Sequence, residues 1–171
     1  MKYSPVMRVL HWLMALLILG LIAAGWFMTG LDKNDTIRGT IYALHKSLGV
    51  TVLGLVILRV LLRLITVLPP LPDAVPPLQQ RLAKAGHVGL YLVMLLVPVL
   101  GIAMSQSYGY GVKWFGLLLP TFFTKDSNFA GLMGDWHAWL AYTMLTMVLL
   151  HVLAVLKHWR IDGVNLLRRM W

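Results

Sequence analysis

Four long, predominantly apolar stretches mark the chain, at about 9–28, 41–65, 87–104 and 136–156, separated by polar or proline- and glycine-bearing segments. Each is about as long as an α-helix crossing a bilayer, which needs about 20 residues for a hydrocarbon core of about 30 Å. A helix satisfies its backbone N–H and C=O groups internally, as a segment in lipid must. The pattern predicts an all-α protein: one integral membrane domain over residues 1–171, folded as a four-helix bundle. The first stretch is too long for the apolar core of a cleavable signal and lacks a small-residue exit, so it reads as the first span.

The connectors divide into three kinds. Residues 29–40 form a short loop. Residues 68–77, Leu-Pro-Pro-Leu-Pro-Asp-Ala-Val-Pro-Pro, read as a stiff extended spacer, and 79–86 as an amphipathic approach to the third span, which Pro98 is expected to kink. The longest loop, 105–135, holds Gly111-Val-Lys-Trp-Phe-Gly and Leu118-Leu-Leu-Pro-Thr-Phe-Phe. Both are too short to span and too apolar for water, so they are expected at the membrane interface, as a lid over the outer end of the bundle.

Composition agrees: 59% of the 171 residues are hydrophobic, and mean hydropathy is +0.77. A formal charge of +9 suggests nucleic acid until its placement is considered. With both termini in the cytoplasm, ten basic residues fall inside (Lys2, Arg8, Arg59, Arg63, Arg81, Lys84, Lys157, Arg160, Arg168, Arg169). Five fall outside (Lys33, Arg38, Lys46, Lys113, Lys125). That asymmetry is the positive-inside pattern of an N-in, C-in inner-membrane protein in contact with lipid, and it assigns no nucleic-acid role. Cysteine is absent, which removes disulfides, iron–sulfur clusters and thioether-linked haem. No carboxylate lies within a span and glutamate is missing altogether, which argues against a proton or metal transporter.

Histidine carries the chemistry. His137 and His151 lie 14 residues apart on the last span, about 21 Å along the axis and within about 40° of one face. His45 matches His137 in depth near the outer side, and His11 matches His151 near the inner side. Each match joins two helices, as bis-histidine ligation inside a bundle requires. This is the geometry for two haems stacked across a membrane, held non-covalently in the bundle core. Small residues one turn on leave room for a flat macrocycle: Ala15 after His11, Gly49 after His45, Ala141 after His137 and Ala154 after His151. His87 instead has Leu90 and Tyr91 there, and reads as a hydrogen-bonding or quinone-side residue. His158, at the inner interface, reads equally as a solvated histidine or as part of a quinone pocket. Arg59 and Arg63 read either as cations reaching to the cytoplasmic headgroups or as partners of haem propionates, with Lys46 the corresponding cation outside. Zinc fits poorly, since structural zinc gathers its ligands in one compact group.

The pattern His11-Trp12, His45-x-x-x-Gly49, Arg59-x-x-x-Arg63, Gly86-His87-x-x-x-Tyr91, Pro98-x-x-Gly101 and Trp136-His137 with His151 and His158 resembles the bacterial cytochrome b561 family over nearly the whole chain, including Phe115-Gly116-Leu117 to Pro120. The resemblance implies a diheme b-type cytochrome of the inner membrane, with His45/His137 and His11/His151 as axial ligand pairs. It implies electron transfer from periplasmic superoxide to membrane ubiquinone. The alternative within the family is a cytochrome b subunit linking the quinone pool to a dehydrogenase, hydrogenase or periplasmic redox protein.

Overall fold

The computed structural model describes every residue except Met1, Leu68 and Asp73. Leu68 opens the proline-rich connector; like Asp73 within it, it lies outside the described residues. Four long helices dominate: α1 Pro5–Gly30, α2 Arg38–Ile65, α3 Pro77–Ser107 and α4 Ser127–Arg160. Each is apolar and long enough to cross a membrane. Their outward faces stay apolar as well, with Leu16, Leu64 and Ile65 among many exposed aliphatics. That is the inverted surface of a protein whose solvent is lipid.

The helices begin where local chemistry allows. Ser4 accepts from Met7 N at the start of α1, with Pro5 in the first helical position. Asp126 Oδ1 accepts from Asn128 N and Phe129 N at 2.9 and 3.0 Å, so α4 starts nine residues before the apolar stretch does. Segment 79–86 forms the first turns of α3, which is helical from Pro77 and runs through Pro98.

α3 packs most extensively on α4, α2 lies against both α1 and α3, and α1 meets α4 over a small area. The centre is a layer of Met14, Ile18, Val52, Val56, Val93, Val97 and Met144. Tyr3 N donates to Arg169 O at 3.1 Å and Arg169 Nη2 to Pro69 O, so the N-terminal segment, the connector and the C-terminal tail meet at one end. Both termini therefore share a side of the membrane.

At the other end the long loop forms a small hairpin, β1 Lys113–Trp114 with β2 Leu117–Leu118. Its two turn residues, Phe115 and Gly116, both take positive φ, at 46° and 97°. A two-residue turn of this hand matches the twist of paired strands and calls for glycine. The hairpin packs on α2 rather than in water: Ser47 Oγ donates to Lys113 O and accepts from Phe115 N, and Trp114 Nε1 donates to Thr51 Oγ1. Thr51 lies six residues deeper than His45, so the hairpin sits within the outer interface.

Candidate functional site

His45 on α2 and His137 on α4 face one another near the outer end, ring centres 6.3 Å apart. Nδ1 of His137 donates to Val97 O at 2.8 Å. That bond orients the ring and leaves Nε2 as the free lone pair, as backbone carbonyls do for metal-bound imidazoles. Nδ1 of His45 is buried and meets no partner among the described residues. The ring of His137 fits because α3 has no side chain at Gly101, where a Cβ would stand 3.1 Å from Cε1 and 3.2 Å from Nδ1. Between the two imidazoles runs a cavity whose lining includes the small residues Gly25, Gly49, Ala138 and Ala141.

The inner end repeats the arrangement 14 residues along α4. His11 on α1 and His151 on α4 stand 6.3 Å apart, the same spacing as the outer pair. His87 on α3 is a third imidazole here, 5.6 Å from His151. With about 2.0 Å per metal–nitrogen bond and about 1.15 Å from nitrogen to ring centre, imidazoles on opposite sides of one iron stand about 6.3 Å apart. Both depth-matched pairs meet that value and the His87–His151 pair falls short of it. The spacing of each pair therefore fits an iron held between its two imidazoles. Among the described residues no three histidine, aspartate or glutamate side chains converge as a site for a bare metal ion.

Arg59 is not a headgroup-seeking cation. It is 7% exposed and donates inward, to Tyr91 Oη at 3.1 Å and Met7 O at 3.3 Å, with Nη2 3.4 Å from His11 Nδ1. Arg63, one turn on, is half-buried over the Tyr91 ring. Nor is His158 solvated. It is nine-tenths buried, its Nδ1 2.7 Å from Asp162 Oδ2. Asp162 also accepts from Lys157 Nζ at 2.7 Å, and these bonds, that of Lys157 foremost, hold its carboxyl below the usual range. At the outer end Lys46 lies over the Tyr110 ring and Arg38 over Tyr42.

Three contributors escaped the sequence reading of the site. Gly101 was visible as a motif position but not as the space for an imidazole. The carbonyl of Val97 leaves no trace in residue type. The aromatic hydroxyl of Tyr91, which takes the bond from Arg59, was legible only as part of a pattern.

Comparison with known proteins converges on one group. The family profile described as prokaryotic cytochrome b561 matches residues 2–171. Cytochrome b561 homolog 2 of Escherichia coli (strain K12) is 32% identical over 171 residues, covering 99% of this chain and 90% of that protein. The probable superoxide oxidase CybB of Yersinia pestis is 30% identical, covering 99% and 95%. Cytochrome b561 homolog 1 of Escherichia coli (strain K12) is 28% identical over 173 residues, covering 99% and 96%.

Proposed function

Since the chain belongs to the prokaryotic cytochrome b561 family, and so is an electron-transferring transmembrane b-type cytochrome of the bacterial inner membrane, we propose that it oxidises superoxide at the outer surface and reduces ubiquinone. Family members bind b-type haem, whose iron exchanges one electron at a time without losing its ligands. In our reading this chain holds two, His45 and His137 binding the outer and His11 and His151 the inner. Arg63 and Arg59 inside are the cations we assign to propionates. His87 and His158 lie on the quinone side. The overall reaction balances as two superoxide, one ubiquinone and two protons giving two dioxygen and one ubiquinol.

The observation that carries the superoxide assignment is the state of the outer charges. Asp32, Asp35 and Asp126 accept backbone N–H bonds near helix starts, and among the described residues no outer carboxylate pairs with a lysine or arginine. Arg38 and Lys46 lie on one face of α2, and the Lys113 carbonyl is bonded one residue further along it. Cations beside His45 that are not tied up in ion pairs would raise the local concentration of a small anion.

Anaerobic stopped-flow mixing with superoxide tests this. Haem reduction is expected to slow as salt rises, because the Debye length falls from about 30 Å at 0.01 M to about 10 Å at 0.1 M. Lys46→Gln or Arg38→Gln is expected to slow it roughly three- to tenfold and to flatten the salt dependence. Wild-type haems that superoxide does not reduce would sink the assignment and leave a docked redox protein as the donor.

A further inference from the structure

The lipid-facing groove between α1 and the C-terminal tail is unassigned, and its chemistry is specific. After α4 the chain turns back, through the 3₁₀ turn Leu167–Arg169, onto the outward face of α1. Trp12 Nε1 donates to Met170 O at 2.9 Å, and Arg8 Nη1 donates to Trp171 O. The indoles of Trp12 and Trp171 meet edge to face, 6.0 Å between centres. These contacts border a shallow open groove whose floor is Val9, Leu13 and Leu16.

We propose that this groove is the ubiquinone site; the proposal rests on the reading that the inner pair of histidines feeds electrons to a quinone. Three features select that ligand. The groove is graded: a cation and two aromatic walls stand at its cytoplasmic end. An aliphatic floor runs from Val9 toward Leu16 on neighbouring rows of the helix, about 12 Å from Arg8 toward the middle of the bilayer. A quinone is graded in the same way, with a flat ring bearing two carbonyl acceptors on a long hydrocarbon tail. The guanidinium has five N–H donors and Trp171 O takes one, so donors remain for a quinone carbonyl. Last, the groove adjoins the redox site, since the Trp12 ring lies 5.2 Å from that of His11. A phospholipid would satisfy Arg8, but it needs no aromatic surface beside it and gains nothing from His11. Leu16 and Trp171, each 72% exposed, leave the groove open to lipid, the phase in which a quinone arrives.

Two measurements test the proposal on full-length protein in nanodiscs of phosphatidylcholine. A photoreactive azido-ubiquinone should label residues 8–16 and 170–171, and short-chain ubiquinone should protect them. Labelling confined to other helices overturns the proposal, as does loss of labelling on adding phosphatidylglycerol, which would make the groove a lipid site. In the second measurement, Leu13→Trp fills the floor and Arg8→Gln removes the cation. Each should raise at least tenfold the ubiquinone concentration that half-saturates reoxidation of dithionite-reduced haem, with haem content and Soret spectrum retained. An unchanged concentration dependence overturns the groove while leaving the quinone reading intact. If ubiquinone fails to oxidise the reduced wild-type protein, the quinone reading itself falls. The labelling arm still decides separately whether the groove binds a quinone.

Discussion

Replacing Gly101 by alanine tests whether the outer imidazole depends on the missing side chain. The added Cβ would lie 3.1 Å from Cε1 and 3.2 Å from Nδ1 of His137. Unstrained carbon contacts sit at about 3.5–4.0 Å, so one partner must yield by about 0.4 Å or more. The backbone of α3 gives little, and the ring cannot retreat freely because Nδ1 is bonded to Val97 O at 2.8 Å, one turn away on the same helix. Overpacking of this kind costs about 1–3 kcal/mol, and a weakened hydrogen bond about 0.5–1.5 kcal/mol. Taking about 2 kcal/mol in all, the outer site should bind haem about 30-fold more weakly at 1.4 kcal/mol per tenfold. Haem transfer to excess apomyoglobin, followed optically, reads the loss directly, and the species lost should match that lost in His45→Ala. Gly20→Ala is the control, because a Cβ there meets nothing within 4 Å. If Gly101→Ala keeps its outer haem with an unchanged transfer rate and midpoint potential, the imidazole is not held as described.

Three further outcomes follow from the same geometry. Pyridine haemochrome assay should give about two haems per chain; His45→Ala or His137→Ala should remove the outer one and His11→Ala or His151→Ala the inner. His87→Ala should keep both, and loss of a haem there would reverse the ligand assignment at the inner end. A reporter fused after Trp171 should be active only in its cytoplasmic form; a periplasmic signal would exchange inner for outer throughout. Asp162, whose carboxyl is held below the ordinary value near 3.9, helps dock the tail above about pH 4 and loses that role as pH falls through its depressed value. Hydrogen exchange in residues 162–171 should accelerate on acidification, and Asp162→Asn should show the same acceleration already at pH 7.

The four spans were legible because lipid imposes a single requirement, a long apolar helix, that leaves a direct trace in composition. The facing of His45 with His137 and of His11 with His151 was legible for a related reason: depth can be counted from each end of a span. What was not legible depends on groups without sequence identity or on folding back from a distance. The start of α4 was hidden because the apolar run marks where lipid begins, whereas Asp126 marks where the helix does. The hairpin's seat on α2 turns on Ser47 and Thr51, two small hydroxyl residues that in a span read equally well as packing. The interior role of Arg59 needed Tyr91 and the Met7 carbonyl, and no spacing rule connects those three. Docking of Trp171 on Trp12 joins the ends of the chain, beyond the reach of any periodicity.

The layer of Met14, Ile18, Val52, Val56, Val93, Val97 and Met144 holds no ionisable side chain. On the proposed reading, an electron passing from the outer to the inner histidine pair would cross this layer, whose seven side chains carry no compensating proton. The transfer would then be electrogenic. About 21 Å of a roughly 30 Å hydrocarbon core is traversed, some 0.7 of the membrane field. At about 2.3 kcal/mol per elementary charge per 100 mV, each electron moved inward works against about 1.6 kcal/mol per 100 mV of inside-negative potential. Clearing superoxide from the outer face in this way would charge the membrane, and an energised membrane would slow the clearing.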